Sequence, residues 1–135
     1  MILDTDMLIA LAQPNCPEQL AERLAGARGR LCTTAVNWGE ICHGLARISE
    51  DRARRLRGRY ESILASEVAI LDFDWQTAEI FGELRASLEQ LGQRLDNVDL
   101  MIASIARRHD MTLVTGNTRH FARVPGLKLE NWLEE

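Results

Sequence analysis

Asp4, Glu40 and Asp99 lie far apart along the chain, and if the fold brings them together their carboxylates set the chemistry of one site. Met1-Ile2-Leu3 is an apolar run that stops at Asp4, a second run stops at Thr34, and a third stops at Thr115 with Asn117 just beyond. In an open parallel α/β sheet, ligands sit in the crevice outside the carboxyl ends of the strands, so these polar endings converge on one cleft. With oxygens about 5 Å apart at an effective dielectric near 20, each pair of carboxylates costs roughly 3 kcal/mol. Three such pairs approach the whole stability of a small domain, about 5–15 kcal/mol. The cluster must therefore raise a pKa, admit water or bind a cation. Hard oxygen donors without thiolate or imidazole favour Mg2+ or Mn2+ over zinc. A Mg2+ ion held by few carboxylates is completed by water and phosphate oxygens, which makes a phosphodiester the expected substrate and hydrolysis the expected reaction.

Each acid also has a simpler explanation. Asp99 falls in the first turn of the strongest predicted helix, where the helix dipole alone favours a carboxylate. Asp99, Ala103 and Ala106 share a ridge of small side chains, a geometry that predicts room for a ligand. Asn37-x-x-Glu40 matches a capping box, which accounts for Glu40 without function. The apolar side of that helix, Trp38, Ile41, Cys42 and Leu45, points away from Glu40, so its carboxylate faces either solvent or a cleft. Asp96 reads as a loop or capping residue.

The elements that must position these groups alternate along the chain. Met1–Asp4, Leu31–Thr34, Val68–Leu71, Thr112–Thr115 and Leu127–Leu129 read as strands. Helical periodicity predicts helices over Glu18–Ala27, Asn37–Ile48, Glu50–Ser66, Trp75–Leu91 and Val98–His109, with Asp74 capping the fourth. The last buries Val98, Met101, Ile102, Ile105 and Ala106 at i, i+3, i+4, i+7 and i+8. The expected fold is α/β: one domain over residues 1–135, a parallel sheet of four to five strands with helices on both faces.

Composition is consistent with this and excludes other classes. The chain has 135 residues, of which 46% are hydrophobic and 27% charged, enough for one core and matching neither disordered nor fibrous proteins. A formal net charge of −4 excludes coating nucleic acid by bulk positive charge, so any such contact is local. Among the 16 basic residues Lys128 is the single lysine; the rest are arginines, better bidentate partners for phosphate. Cys16, Cys32 and Cys42 form no CxxC pair and read as buried thiols in a reducing, cytoplasmic compartment. His43, His109 and His120 share no zinc spacing with them. The N-terminus has no basic leader, and no run of eighteen apolar residues predicts a membrane span.

Four ordered blocks resemble one family. Ile2-Leu-Asp4-Thr5-Asp6 resembles the opening of the PIN-domain nucleases, Thr34-x-x-Asn-x-x-Glu40-x-x-x-Gly44 their second motif, and Asp99-Leu-Met-Ile-Ala-Ser104 their third. Leu113-Val-Thr115-Gly-Asn117 onward to Glu130-Asn-Trp132 is similar to the ending of VapC-type toxins. The resemblance implies a metal-dependent endoribonuclease, the toxin half of a type II toxin–antitoxin pair, leaving 5′-phosphate and 3′-hydroxyl ends. It implies Asp4 and Asp99 as direct ligands of Mg2+, with Mn2+ able to substitute. Glu40 becomes a third acid, Asn117 the fourth position, and Thr5, Thr34 and Thr115 supporting hydroxyls. It also implies a homodimer and a small VapB-like antitoxin lying in a groove, able to push an arginine into the acidic cleft. Asp6 departs from the family's usual Asn, and the neutral Asn117 limits the charge available to a second ion.

Arg107, Arg108, Arg119 and Arg123 are RNA-binding candidates through their nearness in sequence to Asp99 and Asn117. Arg52, Arg54, Arg55, Arg57 and Arg59 either grip an RNA backbone or form a solvated face paired as Glu50–Arg54 and Asp51–Arg55. Trp38, Trp75 and Trp132 read first as core residues and second as interface residues. Two rival readings exist. One is a catalytically silent fold relative that binds RNA or protein; the other is a phosphoacceptor receiver domain, disfavoured because Lys128 is misplaced and Asp72 is a weak acceptor.

Overall fold

In the computed structural model, which describes residues 1–65 and 68–134, five short strands form one parallel sheet. They are β1 (Ile2–Leu3), β2 (Cys32–Thr34), β3 (Ala69–Leu71), β4 (Leu113–Val114) and β5 (Leu129–Glu130), in spatial order β3-β2-β1-β4-β5. The register sets Ile2 opposite both Cys32 and Leu113. Order reverses beside β1, because the chain moves outward through β2 and β3 and then returns to place β4 on the other side. Such a switch point opens a crevice at the carboxyl ends of the two strands, here β1 and β4.

Among the described residues seven helices flank the sheet: α1 (Thr5–Ala12), α2 (Glu18–Gly26), α3 (Ala35–Ala46), α4 (Glu50–Ala65), α5 (Trp75–Gln90), α6 (Asn97–Arg108) and α7 (Thr118–Phe121). The expected end of α4 at Ser66 lies outside the described residues. Successive strand side chains point to opposite faces, so each apolar pair feeds two cores. Leu3 and Val114 join Met7, Leu20, Ile41 and Tyr60 on one face. Ile2 and Leu113 join Leu88, Leu100, Ile105 and Phe121 on the other. This explains why β1 and β4 read as continuous apolar runs, the signature of strands covered on both sides.

Helix α6 is buried more broadly than its predicted stripe. Leu100, Ala103 and Ser104 are buried along with Ile102, Ile105 and Ala106, and the Ser104 hydroxyl is satisfied by the Leu100 carbonyl at 2.6 Å. Met101 and Val98 are only half-buried. The ridge of Ala103 and Ala106 is closed by packing, both being 0% exposed, so it offers no room for a ligand. Small residues there serve close approach of packed neighbours.

Helix α1 has no counterpart among the expected elements. Its residues, TDMLIALA, are apolar nearly throughout, which hides any helical period. Its start is nonetheless marked: Asp4 is extended and its side chain accepts from the Thr5 amide, an N-cap. Asp74 and Asp96 cap α5 and α6 as expected. The tryptophans divide: Trp132 is buried, Trp38 packs edge-on against Tyr60, and Trp75 is 69% exposed, contrary to a core role. The three cysteines are free and half-buried, not sealed in the core.

Candidate active site

The site is built from the carboxyl end of β1 outward. Asp4 is 7% exposed and both of its oxygens are occupied. Its Oδ1 accepts from the Thr5 amide at 2.9 Å and from Asn37 Nδ2 at 2.9 Å; its Oδ2 accepts from Thr115 Oγ1 at 2.7 Å. Four segments, β1, α1, α3 and the end of β4, thus converge on one carboxylate. Three donors aimed at a buried carboxylate fix its position and its rotamer together.

Asn37 is the residue that sequence reasoning missed. It is fully buried and bridges the site: Nδ2 donates to Asp4 and to Thr5 Oγ1 at 3.0 Å, while Oδ1 accepts from Thr34 Oγ1 at 2.6 Å. The capping geometry explains the difference. Thr34, not Asn37, is the N-cap of α3, and its hydroxyl accepts from the Asn37 amide at 3.0 Å. Asn37 is therefore the third helical residue and Glu40 lies in the body of α3, so the Asn37–Glu40 capping box does not exist. A Thr followed three residues later by Asn was the available signal. Truncation in Asn37→Ala leaves the Thr34 O–H without its acceptor and strips donors from Asp4 and Thr5. We expect urea unfolding to show a loss of about 2–4 kcal/mol; a loss under about 0.5 kcal/mol would contradict the bridging role.

Glu40 is exposed and its Oε1 accepts from Thr5 Oγ1 at 2.7 Å. An unbroken chain of hydrogen bonds thus runs from Asp4 through Asn37 and Thr5 to Glu40. Asp99, half-buried in the first turn of α6, has its carboxyl pushed up to about 6. Burial is the main cause, followed by the negative charges of Asp4, Asp96 and Glu40, with His120 opposing. The charges of Asp4 and Glu40 thus both reach Asp99. Among the described residues no three His, Cys, Asp or Glu side chains form a group that could hold a metal ion.

Asp6 points into the molecule. Its Oδ2 accepts from the Gly116 amide at 2.8 Å, while Oδ1 is buried and has no hydrogen-bond partner among the described residues. Burial and the nearby Asp4 raise its pKa, and the Gly116 amide opposes them. A Cβ on residue 116 would sit 2.8 Å from Asp6 Oδ2, so glycine permits this close approach. Asn117 donates its backbone amide to Thr115 Oγ1 at 3.0 Å, and its side chain lies 3.3 Å from His120 Nδ1. His120 belongs to the same block as Asn117, but the resemblance assigns it no role; its ring lies against the Asn117 side chain and its charge reaches Asp99.

The basic candidates separate. Arg107 and Arg108 lie at the opposite end of α6 from Asp99; eight or nine residues at 1.5 Å each put them about 12–14 Å along the axis. Arg107 donates to the Pro125 carbonyl, and Arg108 acts on Asp74 at the start of α5. Arg123 donates to the Arg94 carbonyl at 2.9 Å. Arg119 is exposed on α7, two residues from Asn117.

Comparison with known proteins agrees with this geometry. The PIN domain family profile matches residues 1–127. The tRNA(fMet)-specific endonuclease VapC of Shigella flexneri is 32% identical over 133 residues, covering 97% of this chain and 96% of the relative. Ribonuclease VapC2 of Rickettsia felis is 40% identical over 109 residues, 81% of this chain and 79% of that one. Among solved structures, VapBC2 from Rickettsia felis bound to a promoter DNA fragment superposes with a TM-score of 0.86 at 29% identity, covering 97% of both chains. DNA-bound VapBC from Salmonella typhimurium superposes at 0.85 with 32% identity, covering 97% of this chain and 96% of that one. With its switch-point acids, its five-stranded parallel sheet and these relatives along nearly its whole length, the chain belongs to the PIN domain family and, within it, to the VapC-type ribonucleases.

Proposed function

We propose that this protein is the toxin of a type II toxin–antitoxin pair, an endoribonuclease that hydrolyses RNA phosphodiester bonds with Mg2+, or Mn2+ in its place. The observation that carries the reading is the placement of half-buried Asp99 in the field of the fully held Asp4 carboxylate. Such a pair attracts a positive partner. Its donors are hard oxygens with no thiolate among them, and Mg2+ is commonly held by one or two carboxylates plus water, so the residues fit the ion. Asp4 and Asp99 would hold it. When bound, the cation supplies Lewis acidity toward the phosphodiester and toward water.

The chain's own residues do the rest. Asn37 and Thr115 fix the rotamer of Asp4, and Thr34 fixes Asn37 in turn. Thr5 holds Glu40 at the mouth of the cleft, where an exposed carboxylate can accept a proton from the attacking water. Asn117 stands at the β4 end with His120, whose imidazole offsets the acids when protonated. Arg119 is the basic side chain best placed to meet RNA at this end.

The antitoxin is a VapB-like protein. Between α1, α3 and α4 lies a groove of about 220 Å3, lined by Ile9, Ile41, Leu45 and Leu56 and reaching Glu40. Ile9 is 44% exposed there. An apolar segment carrying a basic residue near its tip complements it, with the guanidinium or ammonium against Glu40. The protein acts as a homodimer in the cytoplasm; among the described residues no helix is long and apolar enough to cross a membrane.

Purified protein incubated with total RNA and with initiator tRNA(fMet), the latter chosen from the name of the Shigella relative, tests the reading. Cleavage is expected with Mg2+ or Mn2+ and none with EDTA. Cleavage that survives chelation rejects the metal mechanism, and no cleavage of any RNA under either condition favours the silent binding module.

A further inference from the structure

The arginine-rich helix α4 is not used by the site described above. Its acids do not neutralise it in the way the sequence predicts, because neither expected i,i+4 pair forms. Asp51 instead lies 3.8 Å from Arg54, and Glu61 takes Arg57 at 3.1 Å, the latter guanidinium also covering the Trp38 ring. Arg52, Arg55 and Arg59 have no acidic partner among the described residues. At 100° per residue these three fall within about 60° of one another, on one face of the helix. Like charges at such spacings repel.

These three arginines line a recess of about 310 Å3, completed by Gln13, Pro14 and Leu56 and containing no acidic side chain. One guanidinium is already fixed: Arg59 Nη1 donates to the carbonyl of Ala12, the last residue of α1, at 3.2 Å. That leaves its other nitrogens for a ligand and lowers the entropy lost on binding. Arg52, Gln13 and Leu56 also line the groove that reaches Glu40, so recess and catalytic cleft share a continuous surface. In a chain of net charge −4 with an acidic cleft, an approaching RNA needs a local positive surface.

We infer that the Arg52–Arg55–Arg59 recess is a binding site for backbone phosphates of the RNA substrate, away from the scissile bond. The inference rests on the ribonuclease reading above and extends it to a second region of the surface. Guanidiniums grip phosphate bidentately, the recess is open, and its polar walls suit a sugar–phosphate chain better than the apolar face of a protein helix.

The test uses the Asp99→Asn protein in EDTA, so that RNA is bound but not cut, with fluorescence anisotropy of a labelled single-stranded RNA at several salt concentrations. Arg52→Ala/Arg55→Ala is expected to weaken binding about tenfold at 0.1 M salt and to lower the slope of log K against log salt by about 0.7 for each phosphate left unneutralised. Arg52→Lys/Arg55→Lys is expected to restore most of the slope. In the cleaving protein the double alanine variant should raise KM and leave kcat within twofold. Unchanged affinity, or weaker binding with an unchanged salt slope, overturns the inference. So does tighter binding of a labelled oligoglutamate peptide than of RNA at the same site, which would assign the recess to an acidic protein partner. Failure of the ribonuclease reading looks different: the wild type binds RNA through these arginines but never cuts it with Mg2+.

Discussion

Asp99→Asn is expected to lower RNA cleavage by at least about a hundredfold, roughly 2.7 kcal/mol of transition-state stabilisation, while making the metal-free protein more stable at neutral pH. The two effects share a cause. Burial and the negative charges of Asp4, Asp96 and Glu40 push the Asp99 carboxyl up to about 6 from an ordinary 3.8. Between about pH 4 and 6 the folded protein therefore holds a proton that the unfolded chain has released. The folding stability falls as pH rises through that window and stays lower above it. Asparagine has no such ionisation. The variant's advantage should be absent near pH 4, grow toward pH 6 and then level off at about 1–2 kcal/mol, the shift being discounted for solvent screening of a half-buried group. Added Mg2+ should raise the melting temperature of the wild type and leave the variant unmoved, since only the former gains binding energy on folding. Urea titrations at pH 4.5 and 7.5 in EDTA, with thermal melts run with and without Mg2+, measure all of this. A variant less stable than wild type at pH 7.5 without metal would show that Asp99 is not held against its neighbours' charge.

Asp4 should behave in the opposite way. Its carboxylate satisfies the Thr5 amide, the Asn37 side-chain amide and the Thr115 hydroxyl, and it caps α1. Asp4→Ala leaves all three donors without their acceptor inside the fold, and we expect a loss of about 3–5 kcal/mol, large against the stability of a domain this size. Asp4→Asn is the cleaner variant, because Oδ1 keeps its acceptor role and only the other oxygen is replaced by a donor facing the Thr115 hydroxyl. It should unfold with a loss of about 1–2 kcal/mol, remain folded at 25 °C and cleave RNA at least about a hundredfold more slowly. Circular dichroism separates the outcomes. A folded Asp4→Asn protein with near-native cleavage would remove Asp4 from the chemistry, and an Asp4→Ala protein as stable as wild type would contradict the converging donors. The contrast between the two aspartates is diagnostic: one is stabilised by its surroundings, the other is strained by them.

How much of this is legible in the sequence depends on whether the signal is local. Strand runs such as Met1–Asp4 and Thr112–Thr115 are readable because both of their faces are covered, which leaves no polar residue to interrupt them. Capping side chains Asp74 and Asp96 are readable because an N-cap bonds an amide two or three residues away. Helix α1 escapes because its residues are apolar nearly throughout, the exposed Ile9 included, which erases the period that marks a helix. At Glu40 the pattern misleads, since Asn37-x-x-Glu40 fits a capping rule that the preceding Thr34 has already satisfied.

By itself, then, the amino-acid order determined the alternation of elements and which acids end up at the strand tips, because hydrophobic period and capping act over a few residues. Tertiary structure alone decided the rest: that Asn37 bridges Thr34, Thr5 and Asp4, that Asp6 turns inward to Gly116, that His120 stands beside Asp99, and that Arg107 and Arg108 do not. Most of those outcomes depend on pairings between residues some 20 to 110 positions apart, made only when the sheet closes, and on desolvation that no short stretch of sequence expresses.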